Sequence, residues 1–331
     1  MNIAIIGDGG WGTAIAKLLD SYGHNVTVWG PFADYIEEIK KTHLNSRYLP
    51  NVELSSTIHW TSDASSCVPD ADMIVLVSPS KFYQHVCEII APLIDVKHTL
   101  IVSLTKGVCP VTHQLMSDVA KATLKTNRVV VLSGPSHAEE VARRIPTAVT
   151  CACEDHALAR QVQQLFNGPR FRVYTTEDVI GVEIGGVVKN VLAIAVGASD
   201  GFGFGDNTRA ALITRGLAEL MRLGLKMGAD AQTLSGLSGI GDLIVTCTSL
   251  HSRNHAVGVR LGQGENIQSI LGSMSMVAEG VDNAKLIHEL ALEHDVEMPI
   301  AEVVYQMCYE TLSAEDAVML LMDRAMKQET K

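Results

Sequence analysis

The sequence predicts an α/β protein in two parts: a doubly wound parallel sheet over residues 1–178 and an all-α part over residues 179–331. Three observations carry that reading. Short apolar runs alternate with amphipathic helical patterns through the first half. A glycine-rich turn links the first apolar run to the first helical one. From about Val179 onward, runs of β-branched residues become scarce and long helical segments replace them.

In chain order, strand-like runs lie at 3–6, 26–29, 73–77, 100–104, 129–132 and 148–151. Helical patterns at 11–19, 35–41, 82–91 and 111–124 separate most of them. Several runs are apolar on successive residues, as strands covered on both faces are. The alternation predicts βαβ units and a parallel sheet. In the second half, 180–198, 209–224, 278–292 and 314–327 read as helices, and no internal repeat is visible. A chain of 331 residues, 47% of them hydrophobic, can bury a large core and favours two domains over one.

The net charge of -11 argues against nonspecific binding to nucleic acid or to an acidic membrane, while leaving room for a local basic pocket. No basic segment with a small-residue cleavage site precedes the first strand, and no run of 18 uncharged apolar residues occurs. A cytoplasmic protein without a membrane span is expected. The seven cysteines (67, 87, 109, 151, 153, 247 and 308) are odd in number and irregular in spacing, so they read as reduced thiols. His251 and His255 could share a helix face, but no third ligand is evident beside them, and no metal is expected.

The first turn reads Gly7-Asp8-Gly9-Gly10-Trp11-Gly12, between an apolar run and a helical pattern, with a second strand at 26–29. That context predicts a Rossmann-type dinucleotide site. Gly7 permits the tight turn, Gly9 lets the backbone approach a pyrophosphate, and Gly12 lets helix and strand pack closely. The helix N-terminus offers free N–H groups and the positive end of its dipole. The acid that often ends the second strand and binds ribose is missing. The chain reads Trp29-Gly30-Pro31-Phe32 there, so NAD and NADP stay equally open.

Several polar residues could carry chemistry. Lys189 lies in Gly185-Gly186-Val187-Val188-Lys189-Asn190, at the start of a segment apolar on nearly all sides. A lysine in such a core lowers its pKa and suits general acid–base work; the alternative is a lysine that reaches the surface or pairs with a carboxylate. Asn190 could orient substrate or lysine. Lys106 follows the fourth strand, where sites assemble in parallel sheets, although an exposed strand-end lysine reads equally well. Ser136 and Glu139 have capping-box spacing. Asp242 sits in a glycine-bracketed turn. Ser252-Arg253-Asn254 precedes a helical run, where Arg253 could bind a phosphate or lie on the surface.

Taken together, Gly7 to Ala14, Thr105-Lys106-Gly107, Ser133-Gly134-Pro135, Gly185 to Asn190, Ile213 to Gly216, Gly239 to Leu243, Ser252 to Asn254 and Glu279-Gly280 resemble the bacterial-type NAD(P)-dependent glycerol-3-phosphate dehydrogenases, nearly end to end. The resemblance implies interconversion of dihydroxyacetone phosphate and sn-glycerol 3-phosphate for phospholipid synthesis. It implies Lys189 as the proton donor or acceptor, with Lys106 and Asp242 lining the substrate and ordering that lysine. Arg253 and Asn254 would hold the substrate phosphate, with Ser252 beside them, and Asn190 and Ser136 would touch substrate. Gly10, Trp11, Lys106, Ala138, Arg253, Val277 and Glu279 match cofactor contacts, and Gly134 falls at cofactor and substrate alike. A homodimer is the implied assembly. Two departures stand out: Pro31 replaces the His, Arg or Asn common at the adenosine end, and Gly10 replaces a residue that is often Ser or Ala, a change that reads as mild.

Two rival readings remain at this stage. One is a two-domain dehydrogenase for hydroxy acids or acyl thioesters. The other is a nucleotide-binding sensor without turnover.

Overall fold

The computed structural model describes residues 1–274, 278–310, 312–323, 326 and 328. In chain order its elements are β1 (Asn2–Ile6), α1 (Gly10–Asp20), β2 (Asn25–Trp29), α2 (Ala33–Thr42), β3 (His59–Thr61), β4 (Met73–Leu76), α3 (Ser80–Ile90), β5 (Leu100–Ser103), α4 (Met116–Leu124), β6 (Val129–Ser133), α5 (Ala138–Ala142), β7 (Thr147–Ala152), α6 (His156–Phe166) and β8 (Phe171–Thr176). The helices α7 (Val179–Phe202), α8 (Asp206–Lys226), α9 (Ala231–Leu234), α10 (Asp242–Thr248), α11 (Arg253–Gly262), α12 (Ile267–Ser273), α13 (Glu279–Glu293), α14 (Pro299–Tyr309) and α15 (Ala314–Met322) follow. The chain forms two compact units. The first comprises Met1–Val187 and Gly228–Asp242, and the second comprises Val188–Met227 and Leu243–Lys331.

The first unit is built on one eight-stranded sheet of order β3-β2-β1-β4-β5-β6-β7-β8. The chain winds outward from β1 to β3, then crosses back to β4, so the strand order reverses between β1 and β4. Successive residues of one strand feed opposite faces. Ile3 and Ile5 join Ala14, Ile15 and Leu19 of α1 in one buried cluster. Ala4 and Ile6 join Tyr83 and Val86 of α3 and Met116 of α4 in another. Covering on both faces is why these strands are apolar without alternation.

Four expectations need correction. β7 runs antiparallel to β6, so the sheet is parallel-dominated rather than wholly parallel. Two strands, β3 and β8, went unread. The helix expected from residue 111 begins at Met116, because Val108 and Leu115 form a β-bridge that holds the preceding segment in a turn. Ser136 does not cap the next helix: α5 starts after His137 without a side-chain cap, and the Ser136 hydroxyl donates to the Gly134 carbonyl at 2.9 Å.

The N-terminus of α4 is instead satisfied from α7. The Glu183 carboxylate accepts from the Ser117 backbone N–H at 3.0 Å and from the Ser117 hydroxyl. Such a contact replaces a missing N-cap, since the first N–H groups of a helix have no intrahelical partner.

The second unit has helices and no strand among its described residues. Its central packing joins the later part of α7 to α11 through two pairs of glycines spaced four apart, Gly197 with Gly201 and Gly258 with Gly262. A Cβ at Gly197 would lie 2.1 Å from the His255 carbonyl oxygen, and one at Gly258 would lie 2.1 Å from that of Ile194. The two backbones touch, which only glycine allows. On α8, the buried Glu219 accepts from the Ile300 and Ala301 N–H groups at 2.8 and 3.1 Å, capping α14. The helix α7 is long and apolar enough to cross a membrane by length and composition, but 94% of its apolar window is buried inside the protein, as in a core helix. The helix expected over 314–327 is described to Met322, and Arg324, Ala325 and Lys327 lie outside the described residues. All seven cysteines are buried thiols.

Candidate active site

In the first unit the glycine turn meets the demands of a dinucleotide. Gly7 has φ of +132°, and a Cβ there would lie 3.1 Å from the Val77 carbonyl, at the point where strand order reverses. A Cβ at Gly12 would lie 2.1 Å from the Gly7 oxygen, whereas Gly9 faces open space with nothing within 4 Å. No side chain caps α1, so its first N–H groups point at that space uncovered. Close packing at Gly7 and Gly12, openness at Gly9 and an uncapped helix N-terminus fit a bound pyrophosphate.

Gly10 is not a mild replacement in this chain. A Cβ there would come 2.5 Å from the Tyr48 carbonyl oxygen, and Ala138 of α5 is the next neighbour at 3.8 Å. The implied cofactor residues Gly10 and Ala138 are therefore adjacent. Trp11 is half-buried against the core, and Pro31 is exposed.

Asn45 was not singled out from sequence, yet it pins this turn. Its amide donates to the Asp8 carbonyl and to the Thr13 hydroxyl, each at 2.7 Å, and its oxygen accepts from the Tyr35 hydroxyl at 2.6 Å. Nothing in the local sequence marks Asn45, because its partners lie far from it along the chain.

The same unit joins Lys106, Gly134 and Asp242. The Lys106 Nζ donates to the Asp242 carboxylate at 2.6 Å and to the Gly134 carbonyl at 3.0 Å. Lys106 is thus a paired, largely buried cation rather than a free strand-end lysine; its side chain is 17% exposed and that of Asp242 2%. Asp242 does not sit in a turn. A π-helical stretch, Leu237–Gly241, leads directly into α10, which Asp242 opens. The glycines of the Gly185-Gly186 motif make this possible. A Cβ at Gly185 would lie 2.4 Å from the Ser238 carbonyl oxygen, and one at Gly186 would lie 3.3 Å from the Lys106 side chain.

In the second unit, Lys189 and Asn190 are buried on α7. The Lys189 Nζ donates to the Thr246 hydroxyl of α10 at 2.8 Å, a partner that sequence reading did not name. The Asn190 oxygen accepts from the Asn254 amide at 2.9 Å, and the Asn254 oxygen accepts from the Gly280 N–H at 3.0 Å. Ser252 caps α11 by accepting from the His255 N–H at 3.2 Å. Arg253 occupies the first position of α11 and is exposed, where a bound phosphate would meet both guanidinium and helix dipole. The glycine contacts between α7 and α11 fix Lys189 and Asn190 relative to Arg253 and Asn254. Glu279 opens α13 beside Gly280, while Val277 lies outside the described residues.

The two histidines considered as ligands have other surroundings. His255 bonds Asp200 at 2.8 Å, and Asp200 also pairs with Arg209, while His251 is exposed. Among the described residues, no three His, Cys, Asp or Glu side chains could hold a metal ion together.

Comparison with known proteins covers both halves of the chain. Residues 2–159 match the family described as NAD-dependent glycerol-3-phosphate dehydrogenase N-terminus, and residues 178–319 match its C-terminus. The chain is 48% identical to glycerol-3-phosphate dehydrogenase [NAD(P)+] of Geobacter sulfurreducens, over 99% of this chain and 98% of that one. It is 46% identical to the Bacillus subtilis enzyme of the same name, over 99% and 95%. The crystal structure of glycerol-3-phosphate dehydrogenase from Coxiella burnetii superposes with a TM-score of 0.93 at 39% identity, covering 97% of this chain and 98% of that one. The chain belongs to the NAD-dependent glycerol-3-phosphate dehydrogenase family.

Proposed function

We propose that the protein is an NAD(P)-dependent sn-glycerol-3-phosphate dehydrogenase that reduces dihydroxyacetone phosphate to glycerol 3-phosphate. The observation that carries the reading is a buried lysine, Lys189, held by a hydroxyl on a helix neighbouring its own, in a chain similar to such enzymes from end to end. The nicotinamide, when bound, supplies the hydride to C2. The protein must hold both reactants, keep water away and deliver one proton.

Residues 1–178 would hold the dinucleotide, with Gly7, Gly9, Gly10 and Gly12 under the pyrophosphate, and residues 179–331 would hold the substrate. The Lys189 ammonium would polarise the ketone and give its proton to the C2 oxygen as the alkoxide develops. Thr246 keeps that Nζ in place meanwhile. Lys106, fixed by Asp242, would add positive charge for the substrate. Arg253 and Asn254, on the first turn of α11, would bind the phosphate. That group is remote from the reacting carbon and contributes binding energy. The reading extends to a cytoplasmic homodimer whose product feeds glycerophospholipid synthesis.

The experiment is to follow reduced nicotinamide absorbance with purified protein and dihydroxyacetone phosphate, using NADH and NADPH in parallel. Oxidation that needs the phosphorylated ketone supports the reading. Lys189→Ala should lower kcat by about 10²–10⁴-fold, the usual worth of general acid catalysis, with NADH binding retained. No oxidation by a folded protein that binds NADH would favour the sensor without turnover.

A further inference from the structure

The end of β2 is where folds of this kind commonly place the acid that binds the adenosine ribose, and here that strand ends in Trp29 followed by Gly30. A carboxylate is nevertheless present. Asp8, from the glycine turn, is buried, and its side chain lies directly over Gly30. A Cβ on Gly30 would fall 2.5 Å from the Asp8 Oδ2 and Cγ atoms. A side chain at 30 would push the Asp8 carboxylate from this place, and with glycine there the acid reaches the end of β2 from the neighbouring loop.

The Asp8 Oδ2 is buried and has no hydrogen-bond partner. A buried acceptor without a donor is destabilising, so its retention calls for a reason outside the folded chain alone. A ribose hydroxyl donates, whereas a 2′-phosphate adds a charge of about -2 that a nearby carboxylate repels. Burial pushes the Asp8 carboxyl above its ordinary range, and its own backbone N–H and the Arg47 guanidinium pull it back toward the charged form. Arg47 is itself held over the Tyr35 ring, 4.3 Å from its centroid.

We propose that Asp8 is the specificity-determining acid of the ribose position, and that it turns this enzyme toward NAD and away from NADP. The inference rests on the dehydrogenase reading above and adds the choice of dinucleotide to it.

The test is equilibrium binding. NADH and NADPH are titrated separately into the native protein, Asp8→Asn and Asp8→Ser, reading reduced nicotinamide fluorescence, with thermal melts as a check on folding. The native protein should bind NADH at least about tenfold more tightly than NADPH, and both variants should narrow that ratio about tenfold or more by gaining affinity for NADPH. Asn keeps the shape of Asp without its charge, so a fold defect confined to Asp8→Ser leaves the test intact. A native protein that binds NADPH as tightly as NADH overturns the proposal, as does a ratio unchanged in a folded Asp8→Asn. Either result leaves the dehydrogenase reading standing if dihydroxyacetone phosphate is still reduced. Failure of the native protein to bind either dinucleotide overturns both.

Discussion

Replacing Glu183 by glutamine should stabilise the protein at pH 8 by about 3 kcal/mol and at pH 5 by about 1 kcal/mol or less. Burial pushes the Glu183 carboxyl from its ordinary 4.5 up to about 7, against the opposing pull of the Ser117 hydroxyl and N–H. In the folded state it therefore keeps its proton to about 7, whereas the unfolded chain loses it near 4.5. Between those values the folded state binds more protons, so this group's contribution to stability falls as pH rises through that window. At about 1.4 kcal/mol per pH unit, the loss amounts to roughly 3 kcal/mol once pH exceeds 7. Glutamine does not ionise. It can accept from the Ser117 N–H and donate to the Ser117 oxygen, so both contacts survive with the hydroxyl reversed. The assay is urea unfolding followed by circular dichroism, native and Glu183→Gln side by side at pH 5, 6, 7 and 8. Taking the difference cancels the titration of every other group. A stabilisation that grows with pH is expected. A difference independent of pH would refute the argument, and a native protein that gains on the variant as pH rises would mean that the helix α4 N-terminus outweighs burial.

The other predictions concern the second unit. Arg253→Ala should raise KM for dihydroxyacetone phosphate about 10- to 100-fold, as loss of a hydrogen bond to a charged group does. An unchanged KM would move the phosphate site elsewhere. Gly258→Ala places a methyl 2.1 Å from the Ile194 oxygen and should destabilise by about 1–3 kcal/mol in a urea melt, with kcat falling as α7 and α11 separate. Gly272→Ala on α12 meets nothing within 4 Å and should instead stabilise by about 0.5–1 kcal/mol, so equal effects at the two glycines would refute the packing argument.

The sheet is readable where strands are covered on both faces, because β1, β4, β5 and β6 announce themselves as continuous apolar runs, and β2 is marked by Val26, Val28 and Trp29 around Thr27. β3 is only His59–Thr61, and β8 alternates buried with exposed residues, as in Phe171, Arg172, Val173 and Tyr174. Both are too short or too mixed to stand out. The direction of β7 could not be read, since an apolar run is the same in either sense. At the site, residue types were legible but pairings were not. Lys106 looked like a strand-end lysine because Asp242 is 136 positions away. Thr246 as the support of Lys189, and Asn45 as the anchor of the first turn, depend on contacts of the same long-range kind. The glycines of α7 and α11 look like ordinary breaks in helix propensity until two backbones are seen to touch. Asp8 reads in the sequence as a turn residue, because its position above Gly30 depends on the pairing of β1 with β2.

The first unit is not one stretch of chain: it closes only when Gly228–Asp242 joins Met1–Val187. On a ribosome the polypeptide emerges from the N-terminus, so Lys106 is made long before the carboxylate that neutralises it. All of Val188–Met227 must be synthesised in between. The sheet, whose strands all lie before Val179, is complete in the chain by then, but the Lys106–Asp242 pair cannot form until much of the second unit has been made. Cutting the gene after Val187 would yield a fragment that lacks its own ion pair. Completion of the dinucleotide half is in this way tied to the order of translation, and a chain stalled before Asp242 cannot finish it.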